Sequence, residues 1–408
     1  MARAVFHVDV NNAYLSWSAV YDSCILGRKP DLRTVPSAVG GREDARCGIV
    51  LAKSEPAKRY GIVTGEPLAA ARRKCPGLKV AGADFSLYEG ASRALMEFLR
   101  SRSDRVETYS IDEAWMVLDG FGKLYGPPVS FARDLKDEIF RRFGFTVNIG
   151  ISENRLLAKM AGELKKPDRV NTLFREEIPR KLWPLSVEKL FGVGEATAKK
   201  LRRLGIETVG QLAHADPGML RAHLKKSGEI LQGYARGEEM DPCIFAPEER
   251  RGYSNSMTAP RDVTEERFGH LLLLSLCETL GERLRADGVL AGLVGVRLKT
   301  FEFESFGRQR ILCSPTDVTE EIYGASCLLF QELWDKRTPL RQLGVFTGKV
   351  ERTGEGRYWQ YDLSGGPQAE RLLLLNRAVD RIRERYGEDS VMRAGFLNAP
   401  IRHKNGGL

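Results

Sequence analysis

The chain has 408 residues, 42% hydrophobic and 29% charged, which is ordinary globular usage and excludes a disordered or fibrous protein. At roughly 100–200 residues per domain, two to four domains are expected. The net charge of +9 points weakly to a polyanionic partner. The longest apolar runs, Leu271 to Leu274 and Leu372 to Leu375, fall far below the ~18 residues of a membrane span. The N-terminus reaches Asp9 too early for a signal peptide. Seven cysteines (Cys24, Cys47, Cys75, Cys243, Cys277, Cys313 and Cys327) form no C-x-x-C pair, so reduced thiols in a soluble cytoplasmic protein are expected.

In chain order, Val5 to Val10 predicts a buried strand with Asp9 near its end. Ala13 to Tyr21 predicts a helix, and residues 27–44 a Gly- and Pro-rich loop with at most one strand. Cys47 to Ala52 predicts a strand, followed by short helices at Glu55 to Tyr60 and Pro67 to Lys74. Leu87, Ala91, Ala94, Leu95 and Phe98 have helical spacing. Val106 to Leu118 predicts one strand with Asp112 and Glu113 in its middle. A helix at Ser130 to Phe143 and a strand at Phe145 to Ile151 follow. The next helix spans Asn154 to Lys165, with Ser152 placed to cap it and Pro167 to stop it. The pattern is α+β. A helical region runs from Phe174 to Gly237, and the polar stretch from Met240 to Arg251 reads as a linker.

Beyond the linker, strands alternate around a long helix at Glu265 to Ala286. Val294, Val296 and Leu298 would face inward and Arg297 and Lys299 outward. The apolar phase then slips to Phe301 and Phe303, with Glu302 and Glu304 opposite, and a bulge near Thr300 would keep one buried face. Arg308 and Arg310 repeat the two-residue spacing, so each basic pair shares a strand face suited to tracking phosphates. A solvated sheet face fits equally well. A final helix is expected at Gln368 to Tyr386.

Three carboxylates, Asp9, Asp112 and Glu113, on strands of one sheet can hold two divalent ions if they converge. Such a pair, about 4 Å apart, clamps the attacking and leaving oxygens of a phosphoryl transfer. Adjacent strand residues point to opposite faces, so Asp112 and Glu113 need a hairpin bend or bulge between them. Taken alone, Asp112-Glu113 reads as a solvated hairpin tip. His7 reads as a satisfied core residue.

These residues sit in longer motifs. Phe6-His7-Val8-Asp9-Val10-Asn11-Asn12-Ala13-Tyr14, Tyr109-Ser110-Ile111-Asp112-Glu113-Ala114, and Asn148 to Ala161 ending at Lys166-Pro167 lie in order. The set resembles the Y-family (translesion) DNA polymerases, especially the bacterial DNA polymerase IV and UmuC-like branches. The resemblance covers nearly the whole chain. It implies a multidomain right-hand α+β fold. The palm would take 1–17 and 85–167, the fingers 18–84, and a helical thumb 168–239. A linker at 240–246, an α/β little finger at 247–352 and a C-terminal tail at 353–408 would follow.

The resemblance also implies roles. Asp9, Asp112 and Glu113, with the Val10 carbonyl, would bind two Mg²⁺. Tyr14 would be the steric gate that rejects a ribose 2′-hydroxyl, and Lys159 would contact the triphosphate, with Lys58 in the fingers. Read without the family, Tyr14 is core packing and Lys159 a solvated lysine. The sequence departs from the family at Asn11, at Ala13, and in the fingers, where Y-x-A-R reads Glu55-Pro56-Ala57-Lys58. Lys58 keeps the charge without the guanidinium fork, and Lys53 or Arg59 could compensate. Leu190-Phe-Gly192-Val-Gly194-Glu-Ala-Thr-Ala198 looks like a helix–hairpin–helix. Its backbone amides, with Lys199, Lys200, Arg202 and Arg203, would bind DNA phosphate regardless of sequence.

Gln360-Tyr361-Asp362-Leu363-Ser364 lies where the family often carries a sliding-clamp peptide, with Gln360, Asp362 and Leu363 matching and Ser364 replacing the aromatic. Gln342 to Phe346 fits less well, inside a core strand. The expected function is low-fidelity, template-directed synthesis on primer–template DNA from dNTPs, by a monomer in the bacterial cytoplasm near the nucleoid. Two other classes fit less well. One is a non-catalytic DNA-binding accessory that binds nucleotide poorly. The other is a palm-type nucleotidyl cyclase, which would need no duplex.

Overall fold

The computed structural model describes residues 2–41, 48–121, 125–239, 250–353, 366–401 and 403. They form two compact units, one of the described residues up to 239 and the other of those from 250 onward. The proposed linker falls largely outside the described residues, as do Gln360, Asp362 and Leu363.

The first unit runs β1 (Ala2–Val10), α1 (Ala13–Val20), β2 (Ser37–Gly40), β3 (Val50–Lys53), α2 (Glu55–Lys58), α3 (Leu68–Lys74), β4 (Lys79–Gly82) and α4 (Phe85–Arg100). It continues with β5 (Arg105–Thr108), β6 (Glu113–Phe121), α5 (Pro128–Phe143), β7 (Val147–Ser152), α6 (Arg155–Leu164) and β8 (Val170–Thr172). One five-stranded sheet has the order β5-β6-β1-β7-β8, and a smaller one has the order β3-β2-β4. The sequence showed neither β4 nor β8, each too short for a visible alternation.

The alternation of β1 divides its side chains cleanly. Ala4, Phe6, Val8 and Val10 join the core formed with α4 and α5. Val5, His7 and Asp9 point the other way, toward α6, where Val5 packs with Trp115, Val117 and Ala158. Helix α4 starts where Asp84 Oδ1 accepts the Leu87 amide at 3.0 Å, and α5 ends at Gly144 with φ 76°. Helix α6 is capped by Asn154, whose Oδ1 accepts the Leu157 amide at 2.8 Å. Ser152 is not the cap: it closes β7 and donates to the Leu173 carbonyl.

Helix α6 lies almost on the backbone of β7. A Cβ at Gly150 would meet the Ala158 carbonyl oxygen at 1.9 Å and the Gly162 amide nitrogen at 2.4 Å. On its far side Leu157, Met160 and Ala161 enter the core of the following helices, α7 (Ile178–Lys181), α8 (Glu195–Arg203), α9 (Val209–His214), α10 (Pro217–Leu224) and α11 (Lys226–Ala235). One helix thus joins the sheet to the helical region.

The second unit contains β9 (Ser254–Val263), α12 (Glu266–Ala286), β10 (Val289–Thr300), β11 (Ser305–Thr316), α13 (Thr319–Leu333), β12 (Leu340–Arg352) and α14 (Gly366–Tyr386). Its antiparallel sheet has the order β11-β10-β12-β9. Val294, Val296 and Leu298 are fully buried in the core shared with α12 and α13, as the alternation predicts. The β10–β12 register shifts between Lys299 and Thr300, where the bulge is expected, but no buried face continues beyond it: residues 301–304 form a turn. The chain reverses there, Phe303 takes φ 69°, and Phe301 and Phe303 are exposed.

This turn decides the two basic pairs. Directly opposite residues share a face of an antiparallel sheet. Arg308 and Arg310 pair with Val296 and Val294, so they lie on the helix side, where Glu332 of α13 binds both at 3.0 and 2.5 Å. Arg297 and Lys299 pair with Gly307 and Ser305 on the opposite face. Helix α14 is tied to this unit by ion pairs. Arg383 meets Glu278 at 2.9 Å with both side chains buried, Arg285 reaches Asp380 at 2.5 Å, and beyond the helix Arg393 reaches Glu278 and Glu320 at 2.5 Å.

Candidate active site

The strand expected at Val106 to Leu118 is two strands, and the bend between them resolves the facing problem. β5 ends at Thr108, residues 109–112 turn, and β6 starts at Glu113. The Tyr109 and Ser110 amides both donate to the Glu113 carbonyl, at 3.0 and 3.2 Å. Glu113 stands directly opposite Asp9 across the β1–β6 ladder, on the same face. The Val10 amide donates to the Asp112 carbonyl at 3.1 Å, which pins the turn to the end of β1. Ser110 Oγ donates to Asp112 Oδ1 at 2.7 Å and lies 3.4 Å from Glu113 Oε2. The three acids sit at one end of the sheet, and among the described residues none gathers with others into a ready-made metal cluster.

Each outer acid faces a lysine from α6 or its end. Lys159 Nζ reaches Glu113 Oε1 at 2.5 Å, and Lys166 Nζ reaches Asp9 Oδ2 at 2.7 Å. Asn148, the register partner of Asp9 on β7, fixes the second lysine. Its Nδ2 donates to the Gly162 and Lys165 carbonyls, each at 3.0 Å, and its Oδ1 accepts the Arg169 amide. Burial pushes Asp9 up to about 6, against the opposing pull of Lys166 and with help from Glu113 and Asp112. His7 is a core residue, yet among the described residues neither ring nitrogen has a hydrogen-bond partner, which corrects the expectation of a satisfied one. Its Nε2 lies 3.7 Å from Glu113 Oε1, and burial, with Lys159 and Lys166, holds its pKa well below the usual value.

A cleft of about 410 Å³ opens beside these acids, lined by Asp9, Val10, Asn12, Tyr14, Lys53, Glu55, Lys58, Thr64, Asp112 and Lys166. Tyr14 both lines it and packs: its ring stacks on Tyr88 at 4.8 Å and meets Phe85 edge-on at 6.0 Å. That packing leaves the ring few alternative positions. Ser54 caps α2 and turns Glu55 and Lys58 toward the cleft, where they pair with each other, and Asn12 lies 3.4 Å from Glu55. Lys53 reaches Thr64 Oγ1 at 3.3 Å. Burial, then the neighbouring Lys58, lowers its pKa. The cleft therefore sets carboxylates at one end and ammonium groups along a wall, which fits a metal-bound polyphosphate. Asp, Glu and a backbone carbonyl are hard oxygen donors of the kind Mg²⁺ takes.

The sequence did not single out Lys166, Asn12 or Thr64 as site residues. Lys166 was visible only as the end of a motif, because its pairing with Asp9 depends on where α6 stops.

The remaining residues group separately. Gly192, with φ 84°, makes the hairpin turn, and a Cβ there would also meet Leu231 at 3.3 Å. Gly194 starts α8, whose first-turn amides are unsatisfied within the helix. Lys199 and Lys200 are exposed on α8, with Lys199 paired to Glu195 at 2.7 Å. The element before the hairpin is a single 3₁₀ turn, Val187–Lys189, rather than a full helix. Arg297 and Lys299 share their sheet face with Ser256, Ser305, Gly307, Gln342 and Gly344, and with Phe346, whose ring centroid lies 5.9 Å from the Arg297 guanidinium. A cleft of about 810 Å³ borders them.

Comparison with known proteins gives a consistent picture. The impB/mucB/samB family matches residues 8–163, its C-terminal domain residues 250–363, and the family's HHH motif residues 175–206. The chain is 41% identical to a DNA polymerase IV of Clostridium acetobutylicum over 97% of this chain and 99% of that one. It is 36% identical to a DNA polymerase IV of Acetivibrio thermocellus, covering 97% and 98%. A DNA polymerase IV 2 of Bacillus subtilis is 31% identical, covering 97% and 95%. A solved Y-family DNA polymerase chimera superposes with a TM-score of 0.72 at 20% identity, covering 86% of this chain and 99% of that one.

Proposed function

The chain belongs to the impB/mucB/samB family, and from that premise we propose that it is a template-directed DNA polymerase of the DNA polymerase IV type, acting in translesion synthesis. The observation that carries the reading is the placing of Asp9, Asp112 and Glu113 at one end of the sheet, Asp9 and Asp112 lining a cleft that Lys53, Lys58 and Lys166 also line. The reaction is attack of a primer 3′-hydroxyl on the α-phosphate of a dNTP, releasing pyrophosphate.

Asp9, Asp112, Glu113 and the Val10 carbonyl would hold two Mg²⁺. Bound there, the ions would lower the pKa of the 3′-hydroxyl and neutralise the triphosphate. Lys159 and Lys166, which neutralise the acids in the free protein, would exchange partners when the metal–nucleotide enters. Lys58 would leave Glu55 for the triphosphate. The Tyr14 ring, held by Tyr88 and Phe85, would block a 2′-hydroxyl by contact. Gly192, Gly194, Lys199 and Lys200 would hold duplex phosphates, and Arg297 and Lys299 would track the backbone on the second unit.

In domain terms we assign a palm to 1–17 and 85–167, fingers to 18–84, a thumb to 168–239, a little finger to 247–352 and a tail to 353–408. Residues 360–364 are the candidate docking peptide for a sliding clamp. Among the described residues no helix is long and apolar enough to cross a membrane, and we place a monomer with the DNA of a bacterial cytoplasm. Primer extension with Mg²⁺ on undamaged and abasic templates tests the reading. Extension past the abasic site supports translesion synthesis, whereas stalling one nucleotide before it contradicts that part.

A further inference from the structure

The helix–hairpin–helix loop does more than border the helical region. The Phe191 amide approaches Met160 Sδ on α6 at 3.4 Å, which seats the hairpin on that helix. The neighbouring Lys159 has its ammonium 4.8 Å from the Tyr109 ring centroid and 5.7 Å from that of Phe191. The two rings lie 6.4 Å apart at 65°, and Tyr109 is backed by Trp115 at 4.9 Å. Tyr109 opens the turn that carries Asp112, and Lys159 already pairs with Glu113. The Lys159 side chain is only 12% exposed. A lysine ammonium is a point charge on a flexible stem, so what surrounds it decides where it sits. Aromatic faces within about 6 Å attract such a cation, the more strongly when it is desolvated.

We propose that Phe191 is a positioning residue: from the hairpin it completes an aromatic pair with Tyr109 around Lys159, and so sets the cation that Glu113 and an incoming triphosphate share. The inference rests on the polymerase reading and deepens it. A duplex held at Gly192 and Gly194 would restrain the residue between them and their neighbours, so DNA binding would order the nucleotide site. By thermodynamic reciprocity, nucleotide would tighten DNA binding by the same factor.

The test uses the full chain with a dideoxy-terminated primer–template, which permits nucleotide binding without chemistry. The dissociation constant of the correct dNTP at saturating DNA, and that of the DNA alone, are measured for the wild type, Phe191→Leu, Phe191→Ala and Phe191→Trp. Leucine fills much of the volume without a ring face, whereas tryptophan keeps one. The expected result is a loss of dNTP affinity on the order of threefold to tenfold in the leucine and alanine variants. DNA affinity should stay within about twofold, and tryptophan should restore nucleotide binding. Equal dNTP affinity in all variants, or a loss confined to DNA affinity, overturns the proposal while leaving the polymerase reading intact. A wild type that binds no primer–template overturns both.

Discussion

Asp9 should destabilise the fold that carries it. Its carboxyl is raised from 3.8 to about 6, chiefly by burial, with Lys166 recovering only part of that cost. A shift of about two units, at about 1.36 kcal/mol each, amounts to about 3 kcal/mol. The direction follows from linkage. A raised folded pKa means the native state holds the proton more tightly than the unfolded chain, so stability is greatest below the unfolded value and is lost as pH rises through about 6. At pH 7.5 the full penalty is present; at pH 5 roughly half of it remains. Asp9→Asn removes the charge, and Lys166 keeps Glu163 as a partner at 2.6 Å.

Urea unfolding in EDTA can be followed through the buried Trp17 and Trp115 of the same unit. Without divalent ions, Asp9→Asn should be more stable than the wild type by up to about 3 kcal/mol at pH 7.5, the gap narrowing to about 1.5 kcal/mol at pH 5. Mg²⁺ should stabilise the wild type and leave the variant unmoved. An Asp9→Asn protein less stable than wild type at pH 7.5, or a gap that widens on acidification, would show that the buried Asp9 charge does not destabilise the fold.

Three further predictions come from packing. Gly150→Ala drives a methyl into the backbone of α6, which cannot yield as a side chain could. It should cost about 3 kcal/mol or more and impair catalysis by displacing Lys159, as read by urea unfolding and primer extension. Tyr14→Ala opens the floor of the cleft, so the ratio of dNTP to rNTP incorporation should fall by at least about tenfold, roughly the clash energy of 1–2 kcal/mol; an unchanged ratio would remove Tyr14 from the steric role. Glu278→Ala leaves Arg383 buried without its acid and should lower the stability of the second unit by about 3–5 kcal/mol, with hydrogen exchange reporting α12 and α14 together.

What could be read from the sequence was local. The acids, the α6 motif and the hairpin glycines each sit in a short run whose chemistry is visible. The inward face of Val294, Val296 and Leu298 follows from period-two alternation alone. What escaped depends on how segments meet. The register shift at Thr300 is where the slip in the alternation puts it, but the turn that follows is not legible there, and it sends Arg308 and Arg310 to the face opposite Arg297 and Lys299. Two phenylalanines suggest a continued buried face, and the structure exposes both. Ser152 and Asn154 are both good caps, and the choice fell to the residue not already bound within β7. The Lys166–Asp9 pair needs the α6 end placed by Asn148, a contact between strand and helix that no periodicity shows.

If Asp112 takes part in divalent-dependent nucleotide addition at this cleft, its removal should abolish the reaction and spare the grip on DNA. The most direct measurement is single-nucleotide incorporation opposite a defined template base with Mg²⁺, comparing the wild type with Asp112→Ala, while DNA binding by both is followed by fluorescence anisotropy. Template-matched incorporation is expected of the wild type, and none of the variant despite DNA affinity within about twofold of the wild type. Incorporation by Asp112→Ala at a rate near the wild type would contradict it, as would a wild type that binds the DNA and adds nothing.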